Sequence, residues 1–131
     1  MGGVGGGWSE EELQRFGDAV ELRLATVRRD GSLRKAFRVW VVRTGDQVFV
    51  RAVGGRESPW FHGARSRHEG RVSVPGLTAD VGLVEWDGSA DEVEAIDAAY
   101  RAKYGRYASL VGSTVTDLAR SATLELVPRR T

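Results

Sequence analysis

Cysteine is absent from the 131-residue sequence, which excludes a disulfide framework, a thiolate nucleophile and a cysteine zinc site. Histidine is scarce as well. His62 and His68 are the only two, and their six-residue spacing does not place them on one helical face, so no metal site is expected from them. No apolar run reaches the length of a bilayer span, which argues against a membrane protein. The chain has no P-loop, no G-x-S-x-G elbow, no H-E-x-x-H, and no G-x-G-x-x-G following a strand. Hydrolase and metalloenzyme readings therefore lose their usual support. The opening MGGVGGG carries neither the charged nor the apolar region of a signal peptide. Residues 1–7 read as a flexible leader and 8–131 as a single domain, with a cytoplasmic location expected.

Charge is nearly balanced at +1, but it is unevenly spread. Residues 28–71 hold eleven basic side chains against four acids, a net +7 that leaves −6 elsewhere. A basic middle in a near-neutral chain points to a local anion site more than to a polyanion-binding surface. Nucleic acid is a poor partner for the further reason that these bases interleave with core positions instead of lining one open face.

Local patterns predict an α+β, mainly β, domain. Ser9 to Glu12 is a capping box opening a helix that Gly17 ends. Glu21–Arg29, Lys35–Arg43 and Gln47–Val53 read as three strands of an antiparallel meander, with Asp30-Gly31 and Thr44-Gly45-Asp46 as the turns. Both faces of these strands carry bulky apolar groups, as in a small closed barrel. A short helix follows from Ser58-Pro59 to about Arg67. Arg71–Val74 and Leu77–Trp86 form another hairpin, the latter with Leu77, Ala79, Val81 and Leu83 on one face. The longest helix runs from a second capping box at Ser89 to about Gly105, and Ala122–Val127 closes the chain as a sixth strand. Residues 107–118 give no clear signal.

Three constellations could carry chemistry. Gly54-Gly55-Arg56-Glu57-Ser58-Pro59-Trp60 joins glycines, an arginine and a capped helix start, the ingredients of an anion site, and Arg65 lies where it could close over the same ligand. Arg38 and Trp40 share one face of the second strand, as Phe49, Arg51 and Val53 share one of the third. An arginine in a strand that otherwise reads as core needs a partner or a wet groove. Trp40 and Trp60 are core residues or flat walls for a ring system, with Arg38 and Arg51 holding its anionic tail. The third is Tyr100 to Tyr107, where Lys103 and Tyr104 are candidate catalytic groups reaching over a pocket, Tyr104 as a proton donor, or else complete the helix end.

The order of these segments, above all Ser58-Pro59-Trp60-Phe61-His62 and Tyr100-Arg101-Ala102-Lys103-Tyr104, resembles a bacterial family of unknown function. That family is related to the flavin- and deazaflavin-binding split β-barrels of the pyridoxamine-phosphate oxidase superfamily. The stretch beginning Pro59-Trp60-Phe61-His62 looks like the proline-tryptophan-tyrosine-histidine-asparagine-leucine pattern of deazaflavin-dependent nitroreductases, with Gly63 and Ala64 in place of asparagine and leucine. The resemblance implies a split barrel of about six strands that dimerises, with FMN or the deazaflavin coenzyme F-420 in a groove. Lys35, Arg38, Arg51, Arg56 and Ser58 would hold the cofactor phosphate. Trp40, Ala52, Val53 and Trp60 would lie near its ring. The expected function is hydride transfer between that cofactor and a small organic substrate. The alternative is a non-redox small-molecule-binding barrel, or a cofactor-free cyclase or isomerase using the same groove.

Overall fold

A computed structural model describes residues 7–129, without the side chain of Ala108; the remaining residues of the expected leader, 1–6, lie outside the described residues. Helix α1 (Glu10–Asp18) begins with both bonds of the capping box: Ser9 Oγ accepts from Glu12 N at 3.1 Å, and Glu12 Oε1 accepts from Ser9 N at 2.9 Å. Trp8 packs edge-on against Phe16 with ring centroids 4.8 Å apart, and its indole N–H donates to Leu126 O, tying the helix entry to the last strand.

Seven strands follow where six were expected. They are β1 (Leu22–Thr26), β2 (Phe37–Val39), β3 (Val41–Thr44), β4 (Gln47–Arg51), β5 (Glu69–Val74), β6 (Leu77–Glu85) and β7 (Thr123–Pro128). All pair antiparallel in the order β2-β1-β5-β6-β7-β4-β3. The extra strand arises because the second expected strand is interrupted at Trp40. Its first half pairs with β1 (Leu22↔Val39) and its second half with β4 (Val41↔Val50). The two edges of the sheet are thus consecutive in the chain, and a single residue closes the split barrel. Closure in this way leaves no long free edge.

The barrel interior holds Leu22, Leu24, Val48, Val50, Val72, Val81, Leu83, Leu124 and Leu126, each at most 1% exposed. The period-two face of β6 is as expected, with Val81 and Leu83 buried and Leu77 and Ala79 packed against the core. Helix α2 (Pro59–Arg67) contributes Phe61 and Ala64 to the same core. Helix α3 (Ala90–Tyr104), also started by a complete capping box, covers the outer face of β3 and β4, where Val42 and Phe49 meet Ile96, Tyr100 and Tyr104. The ambiguous stretch folds as two short helices, α4 (Ala108–Val111) and α5 (Asp117–Arg120), with tight turns around them. Among the described residues no helix is long and apolar enough to cross a membrane.

Candidate functional site

The interruption at Trp40 opens a cavity of about 290 Å³ on the outer side of the barrel. Arg38 and Val39 from β2, Trp40 itself, Arg51 at the end of β4, Val53 just beyond it and Trp60 on α2 line it together with Tyr100 on α3 and Leu110, Ser113 and Thr114. Five expected ligand-holding residues therefore meet here: Arg38, Trp40, Arg51, Val53 and Trp60. Glu21, Val39, Tyr100, Leu110, Ser113 and Thr114 are additions that local sequence patterns did not single out as wall residues.

Arg51 forms the floor and is 2% exposed. Its Nη1 donates to Asp97 Oδ1 at 2.5 Å and to Thr114 O at 2.9 Å, and its Nε donates to Thr123 Oγ1 at 3.0 Å. Asp97 Oδ2 accepts in turn from Arg120 Nε at 2.9 Å and Nη2 at 2.6 Å. Burial pushes the Asp97 carboxyl upward, but hydrogen bonds from Arg120 and Arg51 overcome it and hold the group below the usual carboxylate range. The guanidinium also lies 5.4 Å from the centroid of the Tyr100 ring. Two buried polar atoms have no partner among the described residues, Arg51 Nη2 and Tyr100 Oη, and both belong to cavity-lining residues. Burial raises the Tyr100 phenol well above its ordinary value, so it stays protonated and can donate. These two unsatisfied polar atoms lie sealed behind the cavity lining, next to the wall that carries the two indoles.

Lys103 and Tyr104 do not line this cavity. The break at Trp40 leaves main-chain polar groups without ladder partners, and these two side chains satisfy them. Val41 N donates to Tyr104 Oη at 3.2 Å, that hydroxyl donates to Val20 O at 2.7 Å, and Lys103 Nζ donates to Val41 O at 2.7 Å and Phe16 O at 3.0 Å. The Tyr104 ring stacks flat on Trp40 at 3.9 Å. Both candidate catalytic groups are fasteners of the strand break. Burial lowers Lys103 to about 8 and raises Tyr104 to about 12. Between pH 8 and about 10 the unfolded chain carries more protons at Lys103 than the folded one, so stability is expected to rise with pH there. Above about pH 10 the folded state keeps the Tyr104 proton that the unfolded state loses, and the trend reverses. Urea titrations across this range should show the rising limb vanish in Lys103→Met.

The expected phosphate cluster does not assemble around a vacant anion site. Arg56 Nη2 donates to Glu85 Oε1 at 2.8 Å, Arg65 Nε donates to Glu85 Oε2 at 3.2 Å, and His68 Nε2 lies 3.5 Å from the same oxygen. These side chains converge on one of the protein's own carboxylates. Hydrogen bonding from Arg56 is the largest influence holding Glu85 below its ordinary range. Ser58 precedes Pro59 as expected, but its hydroxyl makes no capping bond. Lys35 is exposed and lies outside the strands. Ala52 is fully buried in the barrel core, because it follows Arg51 on the opposite face of the strand.

Gly63 has a structural reason. A Cβ there would lie 3.1 Å from Thr26 Oγ1 and 3.4 Å from Arg34 Nη1. Arg34 spans this gap, donating to Thr26 Oγ1, Val27 O and Gly63 O, and so fastens α2 to the first hairpin. Gly63→Asn is expected to displace that guanidinium and cost about 1–3 kcal/mol of stability, read by chemical denaturation.

Fold and cavity together define a domain of the split-barrel class with a hollow at its strand break. The chain belongs to a bacterial family described as "Uncharacterized protein conserved in bacteria (DUF2255)", whose pattern matches residues 12–126. No curated protein matches the sequence. Among solved structures, the conserved hypothetical protein Rv2991 from Mycobacterium tuberculosis aligns at a TM-score of 0.64 and 14% identity, over 94% of this chain and 82% of that one. A FAD-binding protein from Mesorhizobium loti aligns at 0.62 and 13% identity, over 94% and 91%. HutZ, the heme storage protein from Vibrio cholerae, aligns at 0.58 and 16% identity, over 93% and 91%. Likeness at these identities establishes the fold, and the ligands named belong to those proteins.

Proposed function

We propose that this protein binds a flavin or deazaflavin cofactor, FMN or coenzyme F-420, in the cavity at the Trp40 break and serves as a small cytoplasmic oxidoreductase. The observation that carries this reading is the pair of unpartnered buried donors, Arg51 Nη2 and Tyr100 Oη, beneath two indole walls. A flat ring with a carbonyl or ring-nitrogen edge suits such a floor, since buried donors left unpaired are costly. When bound, the ring would supply hydride chemistry. The chain's own residues do the rest: Trp40 and Trp60 fix the ring plane, Arg51 and Tyr100 hold its acceptor edge, and Arg38 faces its charged tail. Asp97, Lys103 and Tyr104 keep those groups in place without touching the ligand.

Titration of concentrated protein with FMN and with F-420, followed by tryptophan quenching and calorimetry, is the direct test. Micromolar binding of one of them is expected; no spectral change and no heat with either would overturn the reading. A second reading, binding without redox turnover, draws support from Lys103 and Tyr104, whose polar atoms are engaged by backbone and not offered to the cavity. It is distinguished by reducing the bound cofactor and offering acceptors: binding with no turnover favours it.

The cavity rim is also the basis for proposing a homodimer. Val53 and Leu110, 50% and 57% exposed, both line the cavity, and a second subunit over them would bury these apolar groups and cover the ring. Leu110→Lys is expected to convert a dimer to a monomer in light scattering, with the fold retained.

A further inference from the structure

A second hollow, of about 360 Å³, lies on the outer face of the sheet, lined by Glu21, Arg23, Arg38, Ser73, Val74 and Pro75. It shares Glu21 and Arg38 with the tryptophan-walled cavity, so the two adjoin across those side chains. Strand register aligns three donors in it. Arg23 on β1 stands directly opposite Arg38 on β2, and on its other side directly opposite Ser73 on β5. Neighbouring strands lie about 4.8 Å apart, so the row spans about 10 Å.

Like charges at directly opposed positions repel, and among the described residues a single long ion pair, Arg38 to Glu21, offsets this. Arg23 makes no hydrogen bond or ion pair among the described residues. Arg38 has only Glu21, with Nε and Oε1 3.9 Å apart, too far for a hydrogen bond. Other arginines nearby have carboxylate partners: Arg71 on β5 pairs with Asp80 at 2.8 Å, and Arg56, in the turn before α2, shares Glu85 with Arg65. Lys35 and Arg29 also lack acids, but they line neither hollow.

We infer that the hollow at Arg23 seats the oxyanion tail of the ring-bearing ligand, held by Arg23, Arg38 and Ser73. The inference rests on the cofactor reading above and deepens it. Two guanidinium forks and a hydroxyl match the several oxygens of a phosphoryl or carboxylate group. The ring cavity is at the small end of ligand sites, which run from about 300 Å³, so a larger molecule must extend beyond it, and the adjoining hollow receives the extension. Glu21, the acid common to both hollows, repels an anion held between them and accepts from hydroxyls on a linker. It thereby sends the charged end to the Arg23 side. Anion binding moves from Arg56 and Arg65, which Glu85 already engages, to a row across three strands.

FMN and riboflavin share ring and chain and differ by the phosphate, which makes them the probes. Wild-type protein should bind FMN more tightly than riboflavin. Arg23→Ala, at an exposed position, should weaken FMN about tenfold and leave riboflavin within about twofold. Equal weakening of both flavins, or no effect on FMN, would overturn the subsite while leaving ring binding intact. Inorganic phosphate supplies a readout independent of the ring. In ¹⁵N spectra of flavin-free protein, saturable shifts are expected at the Arg23 and Arg38 Nε resonances, with the Arg38 shift lost in Arg23→Ala. If neither flavin binds, the ring reading fails and these shifts alone decide: their presence supports the anion subsite, and their absence rejects it.

Discussion

Asp97→Ala is expected to destabilise the protein by about 3–5 kcal/mol, roughly 10–20 °C in Tm for a chain of this length. The side chain is 1% exposed and holds two arginines, one of them, Arg51, itself completely buried. Removing the carboxylate leaves the Arg51 guanidinium in an apolar setting with a hydroxyl and one carbonyl for company. That residual charge, more than the lost attraction, makes the substitution costly. The double variant Asp97→Ala/Arg51→Met should therefore be more stable than Asp97→Ala alone, and thermal melts of the set measure the coupling. A double variant no better than the single would show that Arg51 is not stranded by the loss. Acid acts in the same direction. The folded carboxyl lies below its unfolded range, so its contribution is complete at neutral pH and disappears as pH falls below about 4. Ligand affinity should fall with Asp97→Ala too, because the cavity floor is a side chain that Asp97 positions.

This network shows where sequence reading stops. An arginine within the apolar strand Gln47–Val53 announces that a partner must exist, since a buried charge cannot stand alone. Its partner lies 46 residues away. A local signal was nonetheless present. Val93, Ile96, Tyr100 and Tyr104 define the inward stripe of α3, and Asp97, four residues after Val93, falls inside that stripe instead of on the solvent face. Capping boxes at Ser9 and Ser89 and the alternation of β6 were legible for the opposite reason, as they depend on contacts a few residues apart. The break at Trp40 carried no glycine or proline to mark it, and Lys35–Arg43 reads as one unbroken strand. Only the need to pair with β1 at one end and β4 at the other divides it. The hydrogen bonds of Lys103 and Tyr104 were hidden from the sequence on the same account, because the backbone groups they satisfy exist only once the strand has divided. Arg56 and Arg65 are expected from sequence to close over one ligand. What they share is Glu85, brought beneath them by the curl of the barrel.

The two tryptophans of the cavity separate binding from folding. Trp60 is half-buried against Phe37 with ring centroids 4.9 Å apart, and it sits on a helix anchored independently by Phe61 and Ala64. Trp60→Ala removes one wall of the cavity and should weaken flavin binding by about 1–3 kcal/mol, the worth of an aromatic stacking platform, or roughly 5- to 150-fold. Its stability cost should be smaller than that of Trp40→Ala. Trp40 is part of the barrel closure: its ring lies flat on Tyr104, whose hydroxyl bonds both Val20 and Val41. Removing it loosens the tyrosine that secures the strand break, so Trp40→Ala should lower Tm and weaken ligand together. Tyr104→Phe supplies the control, since it keeps the stacked ring and deletes the hydroxyl. It should lower Tm while leaving affinity near that of the wild type, measured by flavin fluorescence on samples confirmed folded. Were Tyr104→Phe to abolish turnover while binding and Tm stayed unchanged, the tyrosine would return to the chemistry from which its hydrogen bonds now remove it. Were Trp60→Ala to bind flavin as well as the wild type, the ring would have to lie elsewhere than between the two indoles.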